Sequence, residues 1–138
     1  MLRDRTGAHN QTGALGELVA RQWLINKDFL IRAENYAQPW GEIDIIAERH
    51  TVIHFIEVKT VSYRTRRLLE RVQTVDSWRP EEQVTEQKLL KLGRTIETWL
   101  LEHEWTGEWQ IDVFAVRLVP DEKYASINWL WNVVPEQR

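Results

Sequence analysis

The sequence predicts a single α/β domain, on the basis of its length, its composition and two alternating periodicities. Its 138 residues match the size of one ordinary domain. Hydrophobic residues make up 43% of the chain and charged residues 28%, which is typical of a protein that folds around one core. Segments with the 3.6-residue repeat of helices alternate with segments rich in Ile, Val and Phe, which favour strands. The predicted order of elements is α-β-β-β-α-β-β.

The first half of the chain is predicted to contain one helix and three strands. Leu15, Leu18 and Val19 recur at helical spacing and predict the apolar face of the helix. A short polar segment separates the last two strands, which is typical of a hairpin. The predicted elements are a polar N-terminal arm (1–12), a helix (13–27) and strands at 29–36, 42–47 and 52–60.

The second half is predicted to contain a basic connection, a long helix and two strands. Leu89, Leu92 and Ile96 recur at helical spacing. Pro80 suits the start of this helix and Gly107 suits its end. The predicted elements are a basic insertion or loop (63–79), a helix between 80 and 107, and strands at 109–118 and 127–133.

Composition excludes several classes of protein. Without cysteine, the chain forms neither disulfides nor thiolate zinc sites. No apolar run approaches the roughly 20 residues that a membrane-spanning helix needs, and the first residues do not resemble a secretory signal. The expectation is a cytoplasmic protein without a membrane partner. A net charge of -3 argues mildly against strong, non-specific binding of nucleic acid.

Basic residues are concentrated between Lys59 and Arg79, where six basic residues accompany two acidic ones. Contacts with nucleic-acid phosphates are therefore expected from this stretch. A solvated basic loop is the alternative. The candidate contacts are Arg64, Arg66, Arg67 and Arg71.

Three charged residues interrupt the predicted hairpin strands where burial is expected. Asp44 lies among isoleucines in the first strand, and Glu57 and Lys59 follow Phe55 and Ile56 in the second. Removing an ion from water is costly unless pairing or metal coordination offsets the loss. The three residues therefore predict one polar site. The alternative is a set of solvent-facing charges, with Glu57 and Lys59 paired on an edge strand.

The geometry of this site depends on the length of the hairpin loop. A loop of two residues (49–50) or four residues (48–51) would place Asp44 opposite Phe55. Glu57 would then be the diagonal neighbour of Asp44 on the same face of the sheet, roughly 7–8 Å away. A three-residue loop would put the two carboxylates on opposite faces. The predicted site therefore requires a loop with an even number of residues.

Two carboxylates on one face suit a divalent cation. Asp44 and Glu57 are the candidate ligands, since Mg²⁺ binds carboxylate oxygens at about 2.1 Å. Lys59 would lie beside the cation, where it could orient or deprotonate the attacking water or offset charge in the transition state. The chemistry expected from these residue types is metal-dependent cleavage of phosphodiesters.

Three segments together resemble the YraN family of largely uncharacterised bacterial proteins. They are Gly16-Glu17, the Gly-Glu-Ile-Asp-Ile-Ile-Ala segment (41–47) and the Phe-Ile-Glu-Val-Lys-Thr segment (55–60). That family belongs to the PD-(D/E)XK, or restriction-endonuclease-like, superfamily, and archaeal Holliday-junction resolvases have a similar layout. The resemblance covers about 13–134. It implies a restriction-endonuclease-like mixed β-sheet flanked by α-helices in α-β-α layers, with Mg²⁺ or Mn²⁺ as cofactor.

The resemblance also implies roles for individual residues. Asp44 and Glu57 would be the metal ligands and Lys59 the water-orienting group. Glu17 would be the acid on the first helix that completes the site, although the helical wheel places it away from the predicted apolar face. Lys88 matches a lysine that the family carries near the site, and is expected to contact a phosphate. A solvated helix lysine is the alternative for Lys88.

The chain departs from the family pattern at two places. Val61 occupies a position where the family usually has Arg, and the 63–79 segment is longer than the usual connection. We expect this insertion to supply phosphate contacts that Val61 no longer makes. A disordered loop is the competing interpretation.

Aromatic residues and histidines are given structural roles. Most of the eight tryptophans, including Trp109 and Trp131, are predicted to be core residues, and Trp40 and Trp78 are the candidates for exposed stacking platforms. Trp129 and Trp131 are also a candidate homodimer surface. The histidines match no metal-ligand spacing, so all are predicted to lie at the surface or in loops: His9, His50, His54 and His103.

The predicted function is a Mg²⁺- or Mn²⁺-dependent nuclease that acts on DNA, with branched and single-stranded forms as candidate substrates, in repair, recombination or DNA processing. A non-catalytic module of the same fold that binds nucleic acid or a protein is the alternative. The acidic net charge favours the alternative, and the intact set of Asp44, Glu57 and Lys59 favours the nuclease. A purely structural dimerisation module is the third hypothesis.

Overall fold

One sheet of five strands forms the centre of the computed structural model, which describes residues 2–75 and 85–133. The strands are β1 (Leu30–Gln38), β2 (Gly41–Arg49), β3 (Val52–Ser62), β4 (Glu108–Val119) and β5 (Tyr124–Leu130). They lie side by side in the order of the sequence. β3 and β4 are parallel, whereas the other neighbouring pairs are antiparallel. The expected mixed sheet is confirmed.

Helices cover both faces of this sheet. They are α1 (Leu2–Asn26), α2 (Arg66–Val75) and α3 (Glu86–Glu102), and a 3-10 helix (Pro120–Glu122) joins β4 to β5. Leu24 of α1 packs with Ile56 and Phe114 on one face. Trp99 of α3 packs with Phe55 in a second apolar cluster. Because Phe55 and Ile56 are consecutive in a strand, the two clusters lie on opposite faces. The expected α-β-α layers are confirmed.

The first helix differs from the sequence prediction in its start and in its buried face. α1 begins at Leu2, so the predicted polar arm is helical; no proline interrupts it, and polar side chains are compatible with a helix. Leu15 and Leu18 of the predicted apolar face are 38% and 57% exposed. Ala20 and Leu24 are fully buried instead. The predicted apolar face is therefore wrong for Leu15 and Leu18, because α1 turns the stripe of Ala20 and Leu24 towards the sheet, whereas Val19 packs against the core as predicted.

A helix also forms within the predicted basic insertion or loop (63–79). The backbone N–H of Leu68 donates to Thr65 Oγ1 at 3.0 Å, a contact typical of a helix N-cap. Leu69 is 1% exposed and fixes α2 against the rest of the fold. The segment is therefore not a simple loop where the structure describes it. Trp78 lies outside the described residues.

The long helix in the second half is shorter than predicted. Thr85 caps α3 by accepting a hydrogen bond from the backbone N–H of Lys88 at 3.2 Å. The helix ends at Glu102 rather than near Gly107. The predicted start at Pro80 lies outside the described residues. Among residues 2–75 and 85–133, no helix has both the length and the apolar composition that crossing a membrane requires.

The hairpin between β2 and β3 has a different register from the predicted one. Its loop consists of His50 and Thr51, whose φ angles of 54° and 64° suit a two-residue hairpin turn. The loop has an even number of residues, as required, but it is neither of the two predicted loops. Phe55 lies opposite Ile46 and not opposite Asp44. The predicted diagonal geometry is therefore wrong, because the turn is one residue further along the chain.

Gly16 allows α1 to approach β3 closely. A Cβ atom at this position would lie 1.9 Å from Thr60 Oγ1 and 2.8 Å from Thr60 Cβ. We expect Gly16→Ala to lower the free energy of unfolding by about 1–3 kcal/mol, because the strand-bound Cβ of Thr60 cannot rotate away and α1 must shift. Urea-induced unfolding measures this effect.

Gly13→Ala is the matched control on the same helix. A Cβ atom at Gly13 would have no neighbour within 4 Å. Alanine has the higher helix propensity, so this variant should be as stable as the wild type or more stable by up to roughly 1 kcal/mol. Equal stability of the two variants would show that the contact between Gly16 and Thr60 does not constrain the helix.

Candidate active site

Asp44 lies where β2 separates from β3. The paired residues run from Arg49 and Val52, next to the turn, to Ile45 and Ile56 at the far end. Pairing therefore stops one residue short of Asp44. The carboxylate of Asp44 accepts a hydrogen bond from the backbone N–H of Val58 at 2.8 Å. The side chain of Asp44 therefore accepts the hydrogen bond that the backbone N–H of Val58 would otherwise donate to a backbone carbonyl of the neighbouring strand. This contact fixes Asp44 at the point where the two strands diverge.

The environment of Asp44 disfavours its negative charge. Burial and the nearby carboxylate of Glu57 raise the pKa of Asp44 from 3.8 to about 7. The hydrogen bond from Val58 lowers this pKa, and the charges of Glu17 and Glu42 raise it further. Four acids thus act on one another at this point: Glu17, Glu42, Asp44 and Glu57, which we call the acidic group. A positive charge placed among them would be stabilised.

Glu57 and Lys59 form an ion pair on β3. Lys59 Nζ lies 3.3 Å from Glu57 Oε1, and the two side chains are 23% and 29% exposed, respectively. β3 pairs with both β2 and β4, so it is a central strand. The alternative of an ion pair on an edge strand is therefore wrong. The pair brings a cation to the border of the acidic group.

Glu17 joins the acidic group from α1. Burial raises the pKa of Glu17, and the charges of Glu42, Glu57 and Glu34 raise it further. Its position follows from the helix face that is buried, because Glu17 lies one turn before Ala20 on that face. The helical wheel assigned Glu17 to the outside only because the wrong face was assigned to the core.

Asn35 links two members of the acidic group. Its side-chain amide nitrogen, oriented by its hydrogen-bonding surroundings, lies 3.0 Å from Glu17 Oε1 and 3.2 Å from Glu42 Oε1. The backbone φ of Asn35 is 51°, in the left-handed region that asparagine tolerates better than most residues. The hydrogen bonds from the amide lower the pKa of Glu17 and hold α1 next to the start of β2.

A cleft of roughly 180 Å³, open to solvent, lies beside the acidic group. Its walls combine charged and apolar side chains from three parts of the chain. Gly41 brings α3 close to β2, because a Cβ atom there would lie 2.7 Å from Thr95 Oγ1. The lining residues are Trp40, before β2, Gly41 and Glu42 from β2, Glu57 and Lys59 from β3, Lys88, Lys91 and Leu92 from α3, and Ile111 and Val113 from β4.

The predicted phosphate-contacting residues divide into two groups. Lys88 lines the cleft together with Lys91, one helical turn further along α3. Among the described residues that line the cleft, none belongs to the arginine set of the basic segment. Arg66 of that set pairs with Glu70 at 3.4 Å, and its guanidinium lies 4.1 Å from the ring of Tyr124. The arginines that are not brought to the cleft are Arg64, Arg66, Arg67 and Arg71.

The chemistry of the acidic group suits a hard cation. Carboxylate oxygens are the ligands that Mg²⁺ and Mn²⁺ prefer. Among residues 2–75 and 85–133, no three His, Cys, Asp or Glu side chains lie close enough together to hold a metal ion as placed. Mg²⁺ usually keeps several waters and binds through one or two carboxylates. Asp44 and Glu57 therefore fit such an ion by donor type and charge, without a complete protein ligand set.

Several residues of this site escaped the sequence prediction. Lys91 follows the predicted Lys88 at three-residue spacing on α3, a signal that could have added Lys91 to the basic wall of the cleft. Glu42 and Asn35 carried no comparable signal. Their roles depend on the contacts that bring Asn35 of β1, Glu42 of β2 and Glu17 of α1 together, which no local pattern reveals.

His54 is buried, and its predicted surface position is wrong. It is 2% exposed, and its Nδ1 lies 2.6 Å from Asp112 Oδ2. The rings of Phe29, Trp129 and Trp131 surround it at 5.1–5.9 Å. An acid far away in sequence thus makes burial of the histidine possible. His50 and His103 are exposed, as predicted, and the side chain of His9 lies outside those described.

The tryptophans also depart in part from prediction. Trp109 and Trp131 are 44% and 54% exposed rather than core residues. Trp129 packs against Trp23 and Phe114, with ring centroids 5.5 and 5.6 Å away. The predicted homodimer surface stays a prediction, although Trp129 already contributes to the packing of α1 on the sheet.

Comparison with known proteins identifies one family. The model of "Uncharacterised protein family UPF0102" matches residues 16–116. A UPF0102 protein of Campylobacter fetus subsp. fetus is 32% identical over 104 residues, which cover 75% of this chain and 81% of that protein. A UPF0102 protein of Beutenbergia cavernae is 36% identical over 110 residues, which cover 79% of this chain and 84% of that protein. The matched residues include the acidic group and every residue that lines the cleft.

Proposed function

The chain belongs to the uncharacterised protein family UPF0102, which is the YraN family, and we propose that it is a Mg²⁺- or Mn²⁺-dependent nuclease that hydrolyses phosphodiester bonds in DNA. The observation that carries this proposal is the acidic group beside a cleft with lysines in its wall. Neighbouring acids that repel one another favour a bound cation, and the lysines favour an anionic substrate. The proposal includes membership of the PD-(D/E)XK superfamily and a role in repair, recombination or DNA processing.

The residues of the chain have separate tasks in this reaction. Asp44 and Glu57 would hold the cation, and Glu17 would add negative charge from α1. The chemistry that Mg²⁺ or Mn²⁺ supplies at such a site is Lewis-acid polarisation of a phosphoryl oxygen and activation of water. Lys88 and Lys91 would bind the phosphates of the strand in the cleft, which they already line.

Lys59 acts where charge develops during hydrolysis. Water forms a new bond to phosphorus, one ester P–O bond breaks, and the proton of the water ends on the leaving oxygen. Negative charge spreads over the phosphoryl oxygens in the transition state. The ammonium of Lys59, held beside Glu57 at 3.3 Å, is positioned to stabilise that charge and to orient the water.

One observation favours a non-catalytic function for the same site. The charge of Glu57 is already balanced by the ammonium of Lys59, so Glu57 does not need a metal ion for charge balance. In that case the cleft would bind nucleic acid or a protein partner without cleavage. Activity measurements distinguish the two functions.

The test of the proposed nuclease is cleavage of labelled DNA by the purified chain. Single-stranded, duplex and four-way-junction DNA are incubated with Mg²⁺, Mn²⁺ or EDTA. We expect cleavage with metal and none with EDTA. Glu57→Gln should lower the rate at least about 100-fold, because it removes the charge of one proposed ligand.

Glu48→Gln is the matched control for this experiment. Glu48 also lies on the sheet and is ion-paired, to Arg32 at 2.6 Å, but it does not line the cleft. This variant should cleave at the rate of the wild type. Cleavage that persists in EDTA, or that is equal in Glu57→Gln and the wild type, would show that the nuclease proposal is wrong.

A further inference from the structure

One wall of the cleft is apolar and aromatic. Leu92 of α3 and the β4 residues Ile111 and Val113 form its aliphatic part. Trp40, in the connection between β1 and β2, adds an indole ring. Metal ligation and phosphate binding require none of these four side chains. The wall is therefore complementary to a ligand group that is itself flat or apolar and is attached to a phosphate.

Trp40 is held in place from outside the cleft lining. The guanidinium carbon of Arg94 lies 4.1 Å from the ring of Trp40, a cation–π contact. The indole Nε1 of Trp40 is buried and has no hydrogen-bond partner among the described residues. A buried donor without a partner is unfavourable. The contact with Arg94 thus orients an aromatic ring of the cleft wall whose own donor is left unpaired.

The charges around this wall match a nucleotide. Lys88 and Lys91 lie on the same helix as Leu92, so the phosphate-binding and apolar surfaces are adjacent. Glu57 and Lys59, the proposed reacting end of the site, line the same cleft. A nucleotide has the complementary arrangement: an anionic phosphate, a sugar, and a flat base whose faces are apolar.

We propose that the apolar wall of the cleft, with Trp40 as its aromatic face, binds an unpaired nucleobase of the substrate. This inference rests on the proposed nuclease function and assigns its substrate class. In a duplex, both faces of each base are already stacked, so a base enters such a cleft only from a single strand, a frayed end or a branch point. The preferred substrate is therefore DNA with unpaired nucleotides at the scissile phosphate.

Binding of mononucleotides tests the inference without any cleavage. The full-length chain is titrated in Mg²⁺ with deoxyadenosine monophosphate and, separately, with 2-deoxyribose 5-phosphate, which lacks the base. The indole N–H signal of Trp40 in a proton–nitrogen NMR spectrum is assigned by its loss in Trp40→Phe. We expect the nucleotide to shift this signal and to bind roughly 5- to 150-fold more tightly than the sugar phosphate.

Two variants complete the experiment. Trp40→Leu should abolish the preference for the nucleotide, while Trp40→Phe should keep most of it because an aromatic face remains. Trp131→Leu removes another partly exposed tryptophan, which does not line the cleft, and should behave as the wild type. Equal binding of both ligands to the wild type, or an unperturbed Trp40 signal, would overturn the inference even if the Leu variant does not fold.

The outcome is distinguishable from that of the nuclease proposal. Base-dependent binding at Trp40 without any DNA cleavage would leave a nucleotide-binding cleft and refute the nuclease. Metal-dependent cleavage that is equally fast on duplex and single-stranded DNA, and unaffected by Trp40→Leu, would support the nuclease and refute the unpaired-base site.

Discussion

Asp44→Asn is expected to raise the free energy of unfolding of the metal-free protein at pH 8 by about 2–4 kcal/mol. Burial and the charge of Glu57 raise the pKa of Asp44 to about 7 in the folded state. Each pKa unit corresponds to about 1.36 kcal/mol between the two protonation states. Asparagine removes the charge and keeps an oxygen that can accept the hydrogen bond from Val58.

The sign of this effect follows from proton binding. Between about pH 4 and pH 7 the folded state holds a proton on Asp44 that the unfolded state has lost, so the stability of the wild type falls as pH rises. Above the folded pKa of about 7 the loss is complete. The advantage of Asp44→Asn should therefore be small near pH 4 and maximal at pH 8. The raised pKa of Glu17 acts in the same direction in both proteins.

Urea unfolding in EDTA between pH 4 and pH 8.5 measures this difference. Asp121→Asn, which changes an exposed acid in the 3-10 helix, should show no comparable gain. Saturating Mg²⁺, at about 100 times its Kd, should stabilise the wild type by about 2.7 kcal/mol and should stabilise Asp44→Asn less. A variant less stable than the wild type at pH 8 in EDTA would contradict the electrostatic description of the acidic group.

Lys59→Ala is expected to lower the rate of DNA cleavage by about 100- to 1000-fold. A charged group that stabilises the transition state contributes this much in related chemistry. The KM for DNA should change little, because Lys88 and Lys91 remain in the cleft to bind phosphates. Single-turnover cleavage in Mg²⁺ separates the two quantities.

Lys59→Ala also removes the ion-pair partner of Glu57. A second variant is therefore needed to separate loss of activity from loss of stability. Lys59→Met, which keeps the aliphatic length of the side chain, should be as inactive as the alanine variant. Lys27→Ala removes a lysine whose Nζ lies 5.5 Å from the ring of Trp23, and should retain full activity. If folded Lys59→Met cleaves DNA at the rate of the wild type, Lys59 has no part in the reaction.

The sequence identified two members of the acidic group, Asp44 and Glu57, because charges within apolar strands are unusual. Asp44, Glu57 and Lys59 stood out for this reason. Glu57 and Lys59 line the cleft, and the charge of Glu57 acts on Asp44. The YraN resemblance is confirmed at the level of the family, and the mixed sheet with helices on both faces is confirmed as the fold. The catalytic roles of these residues stay predictions until activity is measured.

The hairpin register could not be derived from sequence, because it depends on one turn. Two-residue loops of this kind require positive φ at both positions, which usually means asparagine, aspartate or glycine. Here His50 and Thr51 adopt φ angles of 54° and 64°. A β-branched residue in that conformation is uncommon, so the sequence favoured other loops. As a consequence, Phe55 pairs with Ile46 instead of Asp44.

The orientation of α1 was also beyond local patterns. The helix has two apolar stripes, and only contact with the sheet selects between them. That contact is made at Gly16, where the side chain of Thr60 occupies the space that a Cβ would fill. By contrast, the cap at Thr65 is a local signal, and it could have revealed α2 within the basic segment.

The hydrogen bonds of Asp112 join three distant parts of the chain. Its carboxylate contacts His54 of β3, accepts from Gln110 of β4 at 2.8 Å, and accepts from the backbone N–H of Asn132 at 2.8 Å. Val133 then donates to the backbone of Ile111. The segment after β5 thus completes the interior although it belongs to no strand. A shortened version of this chain for expression should therefore include Val133. Ending it before Asn132 would remove the backbone N–H that donates to the buried carboxylate of Asp112.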